Sequence, residues 1–224
     1  METNSTDPHV PIIDTFKATM SGVDICILYS LMVKRISKGY NTAEVSFLMG
    51  YPDDYIKLKE QLTSIYDVIE INHYVHALEE KSFNGIIFNE LNNQEPAEYR
   101  IVRTTYTELI RHDMYQANDD LSEELLFSLI EENLSHTRYS SSDERTAKEA
   151  AGILQILFDG YLFLEPCTPL ELYKRFRGIS GSNILDPRYV QAALMDLLKQ
   201  KGYPRLKRIN CKDGCMYIKV LAKV

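Results

Sequence analysis

The sequence contains no tryptophan and few of the residues that dominate fibrous or linker-rich chains. Only 10 of its 224 residues are glycine and 8 are proline, which excludes a collagen-like chain or one made mostly of linkers. No apolar run approaches the ~20 residues that cross a bilayer, so no contact with a membrane is expected. The polar, acidic start of the chain is unlike a signal peptide. We therefore expect a soluble cytoplasmic protein with four free thiols, at Cys26, Cys167, Cys211 and Cys215.

The motifs that mark common enzyme classes are missing as well. There is no phosphate-binding loop and no glycine pattern for a dinucleotide. The segment 178–182, Gly-Ile-Ser-Gly-Ser, is not a nucleophile elbow, because it ends in serine and lies between predicted helices. The carboxylates of residues 119–149 are explained more simply by a solvated helical face than by a catalytic pair. The sequence therefore predicts neither an enzyme nor a bound cofactor.

Two residue pairs have spacings that a metal could use, but neither forms a full ligand set. Cys211 and Cys215 flank a predicted hairpin turn, and a structural zinc would need two more ligands beside them. His73 and His76 are three residues apart on a predicted helix, a spacing that solvated helices often carry without a metal. We therefore predict no metal site, and we expect the two cysteines to face each other or the core.

The net charge of −7 hides a strong asymmetry along the chain. Residues 1–70 carry a net charge of −4, residues 71–164 of −10, and residues 165–224 of +7. A basic end of this kind indicates a polyanion partner such as nucleic acid. The same asymmetry would arise if the basic end docked onto the acidic middle of its own chain. The sequence leaves both interpretations open.

Helical spacing and glycine stops divide the first third of the chain into three helices. Apolar residues recur every three to four positions over residues 24–38, and Gly39 ends that helix. A second, short helix is predicted over residues 41–50, with Asn41 as its cap. A third runs over about residues 52–62, with proline near its start.

The rest of the chain mixes helical and strand patterns. Thr168-Pro169 and Asp186-Pro187 each predict a helix start, because a capping residue is followed by proline at the first helical position. β-Branched and aromatic residues predict strands. The predicted helices are 65–80, 121–134, 146–164, 170–176 and 188–201, and the predicted strands are 83–88, 99–105, 206–211 and 216–221, the last two around a turn at 212–214.

One segment has the pattern of two helices joined by a tight glycine turn. It is residues 39–56, GYNTAEVSFLMGYPDDYI, and over residues 24–60 the chain resembles the Cro/lambda-repressor type of helix-turn-helix. The resemblance implies that the helix after the turn is presented to a DNA groove. The sequence departs from the family pattern at Asp53 and Asp54, which would repel phosphates, and at Lys59, where a core residue is expected. A scaffold that packs on the acidic middle or on a partner is the other interpretation.

The last elements, a long apolar helix, a short helix, another helix and a hairpin, resemble a winged helix over residues 147–224. The resemblance implies that the polar face of the third helix enters the major groove, where arginine reads guanine and glutamine reads adenine. It also implies that the hairpin lies near phosphates. The implied base readers are Arg188, Gln191 and Lys199, and the implied phosphate contacts are Lys174, Arg175, Lys207, Arg208 and Lys212.

Four regions follow from these patterns. They are an N-terminal arm (1–21), a helix-turn-helix-like bundle (22–70), an acidic α+β middle (71–142) and a basic winged-helix-like module (143–224). Helices outnumber strands, so the predicted fold class is mostly α with a minor β part.

The leading functional hypothesis is a transcriptional regulator that binds double-stranded DNA through its basic end. A homodimer would suit paired DNA half-sites. The competing hypothesis is a protein–protein adaptor built on degenerate helix-turn-helix scaffolds that bind no DNA. Exposure of the basic residues on one surface favours the first hypothesis, and their neutralisation by the chain's own carboxylates favours the second.

Overall fold

The structure is a computed structural model that describes residues 10–80, 95–118, 122–134, 141–180, 186–212 and 214–222. The predicted strand 83–88 lies outside these ranges. Among the described residues, no helix is both long enough and apolar enough to span a bilayer. In chain order the elements are β1 (Ile12–Met20), α1 (Gly22–Ser37), α2 (Thr42–Met49), α3 (Tyr55–Glu60), α4 (Val68–Ala77), β2 (Ala97–Thr105), β3 (Leu109–Ala117), β4 (Glu123–Glu132), α5 (Ser141–Asp159), a short 3-10 helix (Leu162–Leu164), α6 (Pro169–Ser180), α7 (Pro187–Leu198), β5 (Arg205–Cys211) and β6 (Gly214–Val220).

The chain divides into two units that interleave along the sequence. The first unit contains residues 1–41 and 57–138, and the second contains residues 42–56 and 139–224. The segment 42–56, which the sequence places in an N-terminal bundle, therefore groups with the C-terminal part of the chain.

The first unit is built around a four-stranded antiparallel sheet in the order β1-β2-β3-β4. Each strand pairs with the next one in the chain, and one row across the sheet consists of Phe16, Ile101, Met114 and Phe127. Ile101 and Met114 are fully buried, so this row lies on the core face of the sheet. Helix α1 packs on that face at β4, where the ring centres of Tyr29 and Phe127 are 4.8 Å apart.

Helices α1 and α4 begin with the same capping arrangement. Ser21 accepts a hydrogen bond from the backbone N–H of Asp24, and Asp24 accepts one from the backbone N–H of Ser21 in return. Asp67 and Glu70 make the equivalent pair of bonds at the start of α4. Both helices therefore start where a local side chain satisfies the first free N–H groups.

One prediction for the first unit is wrong. Residues 123–132, predicted as part of a helix, form the edge strand β4. Leucine and glutamate favour helix intrinsically, but pairing with β3 outweighs that preference. Residues 12–20 of the N-terminal arm form β1, and residues 109–117 form β3, where no strand is predicted. The fold is accordingly α+β, with more strand than the sequence indicates.

The second unit contains three longer helices followed by a hairpin. Helix α5 packs against α7 and α6, and α7 also contacts β5. Between α5 and α6, Cys167 pairs with β6: its N–H donates to the carbonyl of Tyr217 at 2.9 Å, and its carbonyl accepts from the N–H of Tyr217 at 2.8 Å. The two strands of the hairpin, β5 and β6, confirm the strands predicted around the turn at 212–214.

Helix α2 is buried on every side. Each of its last six residues, 44–49, is at most 7% exposed. The helix packs against α6 and α7. A short helix with apolar side chains around most of its circumference belongs in a core rather than at a surface. Helix α2 is therefore part of the core of the second unit.

The predicted starts of α6 and α7 are confirmed. The Oγ1 atom of Thr168 accepts a hydrogen bond from the N–H of Glu171 at 3.2 Å, and Glu171 accepts one from the N–H of Thr168 at 2.9 Å. Asp186 is the N-cap residue of α7, and Pro187 follows it in the first turn. The side chain of Asp186 makes no capping hydrogen bond, so the start of α7 depends on another group.

Candidate nucleic-acid interface

The first turn of α7 carries Arg188, whose side chain is held by its own unit. Its Nη2 atom lies 2.9 Å from the Oδ2 atom of Asp186, and its guanidinium lies 5.0 Å from the centre of the Tyr189 ring. Burial lowers the pKa of Arg188, but the surrounding anions, Asp186 first, raise it above its usual value. About a third of the side chain is exposed. A contact with a base would have to replace the ion pair with Asp186.

Two carboxylates of the segment 42–56 reach α7. The Oε1 atom of Glu44 accepts a hydrogen bond from the backbone N–H of Arg188 at 3.2 Å. The Oδ1 atom of Asp53 accepts one from Nε2 of Gln191 at 3.0 Å. Two of the three predicted base-reading positions are thus engaged by the same segment.

Lys199, near the end of α7, is the most exposed of the predicted base readers. Its Nζ atom lies 2.9 Å from Oδ1 of Asp196, and the two side chains are 72% and 78% exposed. A solvated pair of this kind contributes little to stability. Lys199 can therefore exchange Asp196 for a phosphate or a base at small cost.

The hairpin carries three of the predicted phosphate contacts, all exposed: Lys207 and Arg208 on β5 and Lys212 at the turn. Successive residues of a strand point to opposite faces, so Lys207 and Arg208 project in different directions. Arg208 shares its face with Leu206, which is buried, and it lies opposite Tyr217 on β6. Arg208 is therefore directed toward the body of the unit, and Lys207 is directed away from it.

Helix α6 presents the remaining predicted phosphate contacts. Lys174 and Arg175 are exposed, whereas Leu172, Tyr173 and Phe176 on the same helix are buried. The amphipathic spacing puts the two cations on the outer face of α6. All five predicted phosphate contacts thus lie at the surface of the second unit.

A cleft of 630 Å³ lies between the segment 50–54, α7 and the hairpin. The segment contributes Asp53 and Asp54 to its lining, the hairpin contributes Arg208 and Lys212, and α7 contributes Met195. The volume is in the range of sites that hold a small ligand or part of a larger one. Carboxylates and cations of the same unit therefore share one open space.

Two glycines allow the backbone of the segment 50–54 to contact the backbone of the hairpin turn. A Cβ atom at Gly50 would lie 2.9 Å from the backbone nitrogen of Cys215, and one at Gly214 would lie 3.0 Å from the carbonyl oxygen of Met49. Both glycines have positive φ angles, 79° and 124°. Any side chain at either position would push the two backbones apart. The backbones of Gly50 and of the hairpin turn at Gly214, which both line the cleft, are therefore in direct contact.

The helix that follows the glycine turn, α3, contains only six residues. Its buried Lys59 binds Glu70 through Nζ at 2.8 Å and also bonds the carbonyl of Ile65. Burial lowers the pKa of Lys59, while the charge of Asp67 acts in the opposite direction. Lys59, at a position where the family pattern expects a core residue, is thus accommodated by a carboxylate. Little of α3 is left to contact a DNA groove.

A buried charge network in the first unit was not predicted from the sequence. Arg35 is fully buried and donates to both carboxylate oxygens of Glu60, at 2.7 and 2.8 Å. It also donates to Glu131 and to the carbonyl of Tyr40. Nε2 of His112 lies 2.8 Å from Glu131. These contacts tie α1 to α3 and β4.

The charge state of Glu131 follows from its partners. Burial raises its pKa, but the hydrogen bond with His112 and the charge of Arg35 together lower the pKa to about 2. A carboxylate that accepts charge-assisted hydrogen bonds in a buried site is stabilised in its ionised form. The network therefore serves to hold the first unit together, and no signal local to any of these residues would have revealed it.

The cysteines and histidines form no metal centre in the described residues, where no group of three potential ligands occurs. None of the four cysteines is in a disulfide, and Cys211 is exposed whereas Cys167 and Cys215 are buried. Burial and the charge of Glu171 raise the pKa of Cys167 to about 11, against the opposing charge of Arg175. Cys167 is therefore a protonated core residue at neutral pH.

The structure brings some of the predicted residues together and separates others. Gln191 and Arg208 line one small crevice together with Asp53, and Arg208 continues into the cleft beside Lys212. Lys174 and Arg175 lie on α6, outside the lining of the cleft. One local signal pointed to Asp53, namely its negative charge at a position where a DNA-binding helix would avoid one.

Comparison of the chain with models of protein families, with curated proteins and with solved structures gives no match.

Proposed function

We propose that the second unit is a winged-helix module that binds double-stranded DNA, and that the protein is a transcriptional regulator. The order of its elements supports this: α5, the single strand position at Cys167, α6, α7 and then the hairpin β5-β6. In such a module the helix before the hairpin approaches the major groove, and the hairpin approaches the backbone.

The observation that carries the proposal is the set of exposed cations on α6 and the hairpin. In the described part of the chain, none of these five side chains is in an ion pair. Cations without internal partners are free to displace counterions from a phosphate backbone, which is the main source of affinity for DNA. The five residues are Lys174, Arg175, Lys207, Arg208 and Lys212.

Phosphate contacts carry more weight than base reading in this proposal. Arg188 and Gln191 are engaged by carboxylates of their own unit, so their reach toward bases is restricted. Lys199 is the most accessible residue on α7 that could contact a base. We therefore expect moderate affinity and low sequence discrimination, because phosphate contacts position a protein without specifying a sequence.

Fluorescence anisotropy with a labelled random duplex of about 20 base pairs tests the proposal. With five phosphate contacts, the logarithm of the association constant should fall with the logarithm of the salt concentration with a slope of about −4.5. The double variant Lys207→Glu/Arg208→Glu should lose at least tenfold in affinity. A matched control, Lys34→Glu/Lys57→Glu, makes the same charge change in the first unit and should bind nearly as well as the unchanged protein.

Two results would overturn the proposal. Unchanged affinity in the hairpin variant would show that the site is elsewhere, and a larger loss in the Lys34→Glu/Lys57→Glu control would point to the first unit. Absence of salt-dependent binding to any duplex would remove the DNA hypothesis altogether. Sedimentation of the protein with and without duplex would also test the proposed homodimer.

A protein–protein adaptor is the second candidate function. It is favoured by one observation, the engagement of α7 by Glu44 and Asp53 of the same unit. If the polar groups of α7 are permanently occupied, the module would present its hairpin and α6 to an acidic protein surface. The anisotropy experiment separates the two candidates, because an adaptor of this kind has no steep salt-dependent affinity for duplex DNA.

A further inference from the structure

We infer that the segment 50–54 is a built-in competitor for the DNA backbone, with Asp53 and Asp54 placed where phosphates of a bound duplex would pass between α7 and the hairpin. The inference rests on the proposed DNA binding and adds its regulation. In the state described by the structure, the module is held in a form with reduced affinity. A duplex, or a cationic group that attracts the two carboxylates, would have to displace them.

The position of Asp53 is the first support. Its carboxylate accepts the hydrogen bond of Gln191, a donor on the face of α7 that a winged helix turns to the groove. An acceptor on DNA, either the base edge that Gln191 is predicted to read or a neighbouring phosphate oxygen, would use the same donor. Asp53 and that acceptor would therefore compete for one N–H group.

The neighbourhood of Arg208 is the second support. Asp53 and Arg208 line the same crevice and the same cleft, and both act on the buried hydroxyl of Tyr217. Burial is the main reason why the pKa of Tyr217 is raised, but the charge of Asp53 raises it further and that of Arg208 lowers it. The anion and the cation thus both lie near this hydroxyl. A phosphate that reaches Arg208 through the cleft would therefore pass close to the carboxylate of Asp53.

The firm attachment of the segment is the third support. Gly50 and Gly214 pack backbone against backbone, and the rings of Tyr51 and Tyr55 stack with their centres 4.3 Å apart. The Oγ atom of Ser46 accepts a hydrogen bond from the N–H of Ile56 at 3.1 Å. A segment anchored at both ends keeps its carboxylates in the cleft, and therefore acts as a competitor with a high effective concentration.

The experiment compares duplex binding by the unchanged chain and by variants of Asp53 and Asp54. Asp53→Asn removes a charge but keeps an oxygen that can accept from Gln191, whereas Asp53→Ala removes both. Asp53→Asn/Asp54→Asn removes two charges and should bind the duplex about tenfold more tightly at about 50 mM salt, with a smaller gain at higher salt. Asp53→Ala should gain more than Asp53→Asn, because it also releases Gln191.

A matched control separates competition in the cleft from a general change in net charge. Glu149 and Glu165 are exposed carboxylates of the same unit that do not line the cleft. Glu149→Gln/Glu165→Gln makes the same change of +2 in charge and should alter affinity by less than threefold. Asp54→Asn alone, which breaks no hydrogen bond found in the structure, provides a second variant if the double change lowers stability, and it should gain about threefold.

The outcomes distinguish this inference from the function on which it rests. Tight duplex binding by Asp53→Asn/Asp54→Asn together with weak binding by the unchanged protein supports both the competing role of the segment and DNA binding by the second unit. Equal affinities of these two proteins, with the loss still present in Lys207→Glu/Arg208→Glu, overturn the competitor and leave DNA binding intact. An equal gain in the Glu149→Gln/Glu165→Gln control also overturns the competitor. No binding by any form overturns both.

Discussion

The carboxylate of Glu44 caps the start of α7 by accepting a hydrogen bond from the backbone N–H of Arg188 at 3.2 Å. The two residues are 144 positions apart in the chain. Asp186 precedes α7 as its N-cap residue, but its side chain makes no capping bond and instead pairs with Arg188. A negative charge at a helix N-terminus is stabilising, and here it comes from a different helix.

Substitution of Glu44 tests the importance of this long-range cap. Glu44 is 1% exposed, so Glu44→Ala leaves a void as well as unsatisfied N–H groups. We expect Glu44→Ala to lower the free energy of unfolding by about 1–3 kcal/mol, and Glu44→Gln by less, because the amide oxygen still accepts. Urea unfolding measures the free energy of unfolding of both variants. Equal stabilities of the two variants and the unchanged protein would show that the cap contributes nothing.

Removal of Arg35 should be among the most damaging single changes in the first unit. Arg35→Met leaves the carboxylate of Glu60 buried without its main partner, which costs about 3–5 kcal/mol in comparable buried pairs. The double variant Arg35→Met/Glu60→Leu should recover only part of the loss, since the charge of Glu60 is gone but Glu131 still lacks Arg35. Lys17→Met, which breaks a solvated pair with Glu98, is the control and should cost less than about 0.5 kcal/mol. If urea unfolding shows the double variant to be no more stable than Arg35→Met, the unpaired charge of Glu60 is not the source of the loss.

The pKa of Glu131 predicts a specific acid sensitivity. The pKa falls from an ordinary 4.5 to about 2 in the folded chain, so an unfolded chain binds a proton at this carboxyl before the folded chain does. The stabilisation is complete above about pH 4.5 and is lost as the pH falls toward 2. It amounts to about 3 kcal/mol. Arg35 and His112 are the groups that face the carboxylate.

Glu131→Gln isolates this contribution. The variant lacks the titrating group, so its free energy of unfolding should fall less steeply between pH 5 and pH 2.5 than that of the unchanged protein. The other carboxylates are common to both proteins and cancel in the comparison. Urea unfolding at several pH values gives the two slopes, and parallel slopes would mean that Glu131 has an ordinary pKa.

Local signals in the sequence were sufficient to place most of the helices. Thr168 caps α6, Pro187 opens α7, and Gly39, at a φ angle of 71°, follows the end of α1, all as predicted. Such signals succeed because a cap or a stop depends on residues within about one helical turn. The same reasoning placed the hairpin, whose turn chemistry is also local.

The strand β4 and the charge network could not be predicted in this way. The sequence of β4 favours a helix locally, and its strand conformation depends on pairing with β3. Glu131, in that strand, is acceptable in a buried position only because Arg35 and His112 face it from α1 and β3. Neither partner is near in the sequence, so a propensity or a periodicity carries no information about the contact.

The candidate site was only partly predictable for the same reason. Exposure of the cations at Lys207 and Lys212 follows from a basic hairpin and needs no knowledge of the rest of the fold. The engagement of Gln191 by Asp53 joins segments that are 138 residues apart. The negative charge of Asp53 was visible as a departure from a DNA-binding pattern, but its partner could be identified only from the fold.

The contact between Gly50 and the hairpin turn supplies the last prediction. Gly50→Ala would place a Cβ 2.9 Å from the backbone nitrogen of Cys215, whereas Gly39→Ala, at a similar φ angle, would meet nothing within 4 Å. Both changes strain the backbone, but only the first also forces the segment away from the hairpin. We therefore expect Gly50→Ala to lower the free energy of unfolding by at least about 1 kcal/mol more than Gly39→Ala, as measured by urea unfolding.

The buried thiol of Cys215 provides an independent measurement. Displacement of the segment should increase the rate of alkylation of Cys215 in Gly50→Ala but not in Gly39→Ala. Equal alkylation rates and equal losses of stability in the two variants would show that the segment and the hairpin are not in close contact in solution.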